Sequence, residues 1–225
     1  MSGPLFKKHA SRPANLSVQH KPVLSEAFMT NVTDAGVVGF VLAGLQGQTA
    51  PILWVQDYLS QKESGRPYLP GIGVKRPIIR VTVSRPLDVL WAMEEGLRCK
   101  TLASVIGEVW GDPKALSFTA TKRLALRSEA AGTPCWLLRR AASADLSAAR
   151  ERWRILSLAS AVNPDDPQAP GAPRWKVELF RSRSAKVGTW VAQYDRSSDR
   201  VDFSTPFRDG TVGEDGGTHR HKAAS

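Results

Sequence analysis

The chain is poor in the residues that most catalytic and secreted proteins depend on. Two cysteines, Cys99 and Cys135, are spread over 225 residues. That excludes a disulfide framework and a thiolate metal centre, and reduced thiols are the expected state. The four histidines (His9, His20, His219, His221) all lie near the two ends. No Ser-His-Asp or Cys-His arrangement therefore falls inside the expected core, and no histidine joins a cysteine or carboxylate at metal-ligand spacing. No apolar run approaches the ~18 residues of a helical membrane span. Two lysines near the N-terminus have no apolar segment behind them, so a signal peptide is not expected and the cytoplasm is the default location. Lysine is absent from Glu26 to Gln61, where a phosphate-binding loop would have to supply one. Acids are outnumbered too, 21 against 31 Lys and Arg, which gives a net charge of +10. Such a balance favours an anionic partner such as nucleic acid, with simple solubility as the alternative.

An apolar content of 42% in a chain of this length is enough for one globular domain with a substantial core. Residues 1–22 read as a mobile basic arm, residues 23–204 as one α/β domain, and residues 205–225 as a disordered, Gly-rich tail. Between Trp91 and Arg140 the chain alternates helix, buried strand, helix, buried strand, which is how a parallel sheet is assembled. A first strand is expected over 23–29. The apolar helix Ala35 to Leu45 follows, with Thr33 or Asn31 as its cap and Asp34 in its first turn. Strands are expected over 51–55, 78–83, 102–109 and 134–138, and 56–76 reads as loop. Pro86 opens a helix that Gly96 ends or presses against the sheet. Ser117 caps another helix, and Gly132 closes it. After Arg140 the runs 152–158, 174–180, 189–194 and 200–203 have no helices between them, so antiparallel strands are expected.

In a nucleotide-hydrolysing α/β domain, glycines and a lysine surround the phosphates and a carboxylate at a strand end handles the metal. Here the loop position holds Thr30-Asn31-Val32-Thr33-Asp34-Ala35-Gly36, and Asp34 would repel a phosphate. Glu108 ends its strand with no phosphate loop to serve. A polar group bonded to a neighbouring loop is the plainer reading. No catalytic residue, nucleotide site, cofactor or metal site is expected. Ten basic residues between Arg139 and Lys186 face five acids. Arg139, Arg140, Arg152, Arg154, Arg174 and Lys176 are the candidate surface for a partner or DNA. Strand alternation puts Arg152 with Arg154, and Arg174 with Lys176, on exposed faces, while Trp153, Trp175 and Trp190 belong to the core.

In order and spacing, the segments AGVVGFVLA (35–43), PILWV (51–55), AMEEGLR (92–98), LASVIGEV (102–109), TKRLALRSEAAG (121–132), PCWLLRR (134–140), RWRILSL (152–158) and RWKVELFR (174–181) resemble the ImuA family of bacterial damage-inducible mutagenesis proteins, in its alphaproteobacterial form. The resemblance implies a RecA-like fold with a degraded nucleotide site, a mostly parallel sheet flanked by helices and extended by antiparallel C-terminal strands. It implies a non-enzymatic accessory role in error-prone translesion synthesis and the SOS response to DNA damage. The implied partners are an ImuB-like polymerase homologue, RecA and, indirectly, an error-prone C-family polymerase, in the cytoplasm at the nucleoid. The sequence departs from the family at Leu24-Ser25-Glu26-Ala27-Phe28, where many relatives carry a histidine-glutamate pair. Two other readings stand beside this one. They are a RecA-like module that binds single-stranded DNA directly, and a cell-division regulator like SulA.

Overall fold

The structure, a computed structural model, describes residues 22–45, 49–66, 68 and 76–205. The expected basic arm and Gly-rich tail, and all four histidines, fall outside the described residues apart from the edges of those segments. Nine described strands form one sheet: β1 Leu24–Met29, β2 Ile52–Asp57, β3 Ile78–Val83, β4 Ser104–Trp110, β5 Cys135–Arg140, β6 Glu151–Leu158, β7 Arg174–Ser182, β8 Gly188–Asp195 and β9 Arg200–Ser204. Their order is β3-β2-β4-β5-β1-β6-β7-β8-β9. The first six are parallel to one another, and β6 to β9 pair antiparallel. This is the RecA-like arrangement with its antiparallel extension. Strand β6 is the seam, with a parallel neighbour on one edge and an antiparallel one on the other.

Four described helices flank the sheet: α1 Gly36–Gly44, α2 Tyr58–Ser64, α3 Pro86–Gly96 and α4 Phe118–Ala131. On one face α1 packs with Ala27, Trp54, Ile106, Trp136 and Leu138. On the other face α3 and α4 bury Val89, Leu90, Met93 and Leu124 against Val55, Val105, Cys135 and Leu137. Each such side chain contributes about 1.5–3 kcal/mol of transfer free energy. The glycine-rich α1 has weak intrinsic propensity and is held by burial. Phe40 meets Trp153, Trp175 and Phe203 at centroid distances of 5.7, 5.9 and 6.4 Å. Trp153, Trp175 and Trp190 are all buried, which bears out their reading as core and ties the antiparallel extension to the parallel half.

The ends of α4 follow local chemistry. The Ser117 side chain accepts from the Ala120 N–H, and Gly132 sits at φ 68° in the left-handed region. Gly96 ends α3 where the helix presses on the sheet, since a Cβ there would lie 2.3 Å from Leu53 Cδ2. One expectation fails here. The stretch read as loop after Gln56 contains α2, capped by the Asp57 carboxylate, which accepts from the Ser60 N–H at 2.8 Å. Of the two cysteines, Cys135 is buried and Cys99 exposed.

Candidate functional site

The loop from β1 into α1 lies where a RecA-like domain would grip a triphosphate. Asp34 occupies it. Its Oδ1 accepts from the Gly36 N–H at 2.7 Å, the first helical donor of α1. Oδ1 also accepts from the Ser157 hydroxyl at 2.5 Å, and Oδ2 from the Ser157 N–H at 2.7 Å. A helix N-terminus attracts anions through its unpaired N–H groups and dipole. The chain here supplies its own anion. Burial pushes the Asp34 carboxyl up, but the Ser157 hydroxyl and N–H, the Gly36 N–H and the charge of Arg140 outweigh it and hold the pKa below the ordinary 3.8. Asp34 therefore lies ahead of the helix and joins α1 to β6; it is not a first-turn residue. Asn31 bonds Thr33 within the loop, and neither caps α1 through its side chain.

Glu108 stands at the carboxyl end of β4 on the same face and is wholly buried. Gln56 Nε2 donates to it at 2.8 Å and Ser64 Oγ at 3.1 Å, and Arg140 Nε pairs with its Oε1. Ser60 Oγ donates to the Glu108 backbone carbonyl at 3.4 Å. Helix α2 thus closes over the carboxylate, and the plain reading of a polar strand end bonded to its neighbours holds.

A second buried carboxylate, Glu26 of β1, faces the opposite side of the sheet. Ser147 Oγ donates to it at 2.8 Å and Arg152 Nε at 2.7 Å, with Arg139 Nη1 at 3.7 Å. Arg139 also reaches Asp112 Oδ1 at 2.6 Å. Burial pushes the Arg139 guanidinium below its usual range, and the charges of Glu26 and Asp112 oppose that shift. Arg152 lies 5.2 Å from the Phe28 ring centroid and 5.3 Å from that of Phe180.

The six candidate contact residues therefore separate. Arg139, Arg140 and Arg152 are 6%, 5% and 4% exposed and serve these internal carboxylates. The expectation that Arg152 lies on an exposed face with Arg154 is corrected. The two do share a face, but its inner end is covered by the 141–150 connection, which lays Ser147 over Glu26 and the Ala144 carbonyl against Arg152 Nη1. Arg154 and Lys176 are exposed and Arg174 is half-buried. Arg154 pairs with Glu178 at 3.1 Å. Among the described residues no group of three or more His, Cys, Asp or Glu could hold a metal, and no helix is long and apolar enough to cross a membrane.

Sequence reasoning missed the Asp34–Ser157 staple and the α2 lid. Asp57, a cap residue directly after an apolar run, was the available signal for α2.

Comparison with known proteins matches the chain to Protein ImuA of Caulobacter vibrioides, from the NA1000 and CB 15 strains. Each is 29% identical over 182 residues, which cover 74% of this chain and 71% of the relative. The chain is similar to ImuA over about three quarters of its length. No family model matches it. Asp34, ahead of α1, and Glu108, toward the end of β4, are both bonded to the protein itself.

Proposed function

We propose that this chain is a non-catalytic accessory protein of damage-induced, error-prone translesion DNA synthesis. It acts as a scaffold for an ImuB-like polymerase homologue, and through it for an error-prone C-family polymerase, with RecA as a further partner. The observation that carries this reading is the self-filled nucleotide position. A carboxylate on the α1 N-terminus rejects phosphate by charge, and Glu108 has its hydrogen-bonding capacity consumed by Gln56, Ser64 and Arg140. A RecA-like scaffold without that grip is left with binding as its business. The test is co-purification of the tagged chain from cells after DNA damage. Recovery of an ImuB-like protein is expected, and its absence sinks the reading. ATP turnover by the purified chain that vanishes in Glu108→Ala would sink the non-catalytic part.

A second reading, direct binding of single-stranded DNA, draws on the exposed Arg154 and Lys176 and the half-buried Arg174. It expects affinity by the isolated chain that falls steeply with salt and drops on charge reversal at these three positions.

A further inference from the structure

A groove of about 320 Å³ runs between α4 and the start of the β6–β7 pair. Phe118, Lys122 and Leu126 stand at successive turns of α4 along one wall, and Arg150, Arg181 and Arg183 form the other. Phe118 and Leu126 are 43% and 50% exposed, although the residues between them that face the sheet (Thr121, Leu124, Ala125) are buried. The helix therefore has two apolar stripes, and only one is covered. Large apolar side chains rimmed by charge mark interaction sites on soluble proteins.

The charge of the groove is one-sided. None of its described lining residues is acidic. Glu129, one turn beyond Leu126 on the same helix, takes Arg150 in a two-pronged pair at 2.5 and 3.1 Å. Arg181 donates to the Ser147 carbonyl at 3.3 Å, which fixes its stem without neutralising it. Lys122 and Arg183 form no ion pair within 4 Å with a described residue. Four cations against one carboxylate leave about three uncompensated charges beside two exposed apolar anchors.

We propose that this groove docks a segment of a protein partner that carries apolar anchors flanked by carboxylates. Phe118 and Leu126 are eight residues apart, about 12 Å along the helix, so they match apolar groups spaced two turns apart on an amphipathic helix. The arginines would take the flanking carboxylates bidentately. Nucleic acid fits less well, because its phosphates would use the cations and a base could stack on Phe118, yet nothing in it buries the aliphatic Leu126. The inference gives the adaptor reading a docking face. Its test uses the purified full chain, so it can fail while co-purification of an ImuB-like protein succeeds, and the reverse.

A phage-displayed dodecapeptide library is panned on the full chain. The enriched peptide is then synthesised with fluorescein and its affinity measured by anisotropy. The expected consensus pairs Leu, Ile or Phe with Asp or Glu. Binding is expected to weaken tenfold or more with Leu126→Ser, and separately with the Arg181→Glu/Arg183→Glu double variant. Both changes are at exposed positions, and circular dichroism melting checks that the fold is retained. Failure to enrich such a consensus overturns the proposal, as does binding that either variant leaves intact. A twenty-nucleotide oligothymidylate serves as the competitor. If it displaces the peptide and binds independently of Leu126, the groove is a nucleic-acid site and the proposal fails.

Discussion

Glu108 and Glu26 sit on opposite faces of one sheet, both wholly buried, and differ in how their charge is met. Glu108 has one guanidinium, from Arg140, and neutral donors from Gln56 and Ser64. One negative charge meets one positive. Glu26 has two guanidiniums, from Arg139 and Arg152, and one hydroxyl. Its surplus positive charge is met by Asp112 at the rim and by the rings of Phe28 and Phe180. Arg139 Nε and Arg152 Nη2 remain buried without a hydrogen-bond partner among the described residues. On the α1 face Arg140 pairs with Glu108, and its charge also lowers the pKa of Asp34. The opposite face packs two guanidiniums against one wholly buried carboxylate, with a second, Asp112, at the rim. Buried ion pairs do little for net stability when complete, yet losing one member is costly.

The largest expected effect follows from that asymmetry. Glu26→Ala strands the buried Arg152 guanidinium, leaves Arg139 with Asp112 alone and should cost about 3–5 kcal/mol in urea unfolding. Glu108→Ala strands one and leaves two neutral donors unpaired, so its cost should fall near the lower end of about 3–5 kcal/mol. If Glu108→Ala proves the more damaging, the charge comparison is wrong. A third substitution probes the packing beneath Glu108. In Gly107→Ala the new Cβ would lie 2.1 Å from Met93 Sδ. A cost of about 1–3 kcal/mol is expected, because a packed core relaxes poorly, and a neutral result would mean that α3 is free to shift.

Asp34→Ala removes the staple between α1 and β6 and should cost about 0.5–2 kcal/mol, the range for helix-start carboxylates. This effect has a defined pH dependence. The folded-state pKa lies below 3.8, so the stabilisation is present in full above the unfolded value and disappears as pH falls through the lower folded value. The gap in melting temperature between wild type and Asp34→Ala should therefore close in strong acid. A gap that widens there would refute the assignment. The smallest effect belongs to Arg154→Ala. Its pair with Glu178 is about half exposed on both sides, so a loss of less than about 1 kcal/mol is expected. Two residues away on the same face, Arg152→Ala should cost several times more, since it takes the nearest charged donor from Glu26.

Much of the parallel half was legible because its signals are local. The buried runs of β2, β4 and β5, the Ser117 cap and the Gly132 close each depend on a few adjacent residues. Helix α2 was not legible because its seven residues bury only Ser60, so hydrophobic periodicity has nothing to register. Arg152 and Arg154 show a different limit. Alternation says that they share a face, which is true. It does not say that the 141–150 connection covers one end of that face and leaves the other bare. The groove beside α4 was invisible for the same reason, since Arg150, Arg181 and Arg183 come together only through strand pairing.

By itself the sequence determined most of the order of strands and helices and the lack of a lysine between β1 and α1, because periodicity, caps and composition are properties of neighbouring residues. Tertiary structure alone decided that β6 runs parallel to β1, that Asp34 closes on Ser157, and that three of the six candidate contact residues turn inward. Those outcomes depend on contacts between residues far apart in the chain, from 32 positions for Arg140 and Glu108 to 126 for Arg152 and Glu26. There, burial of charge is settled by which surface happens to be covered, and chain-local chemistry carries no record of that.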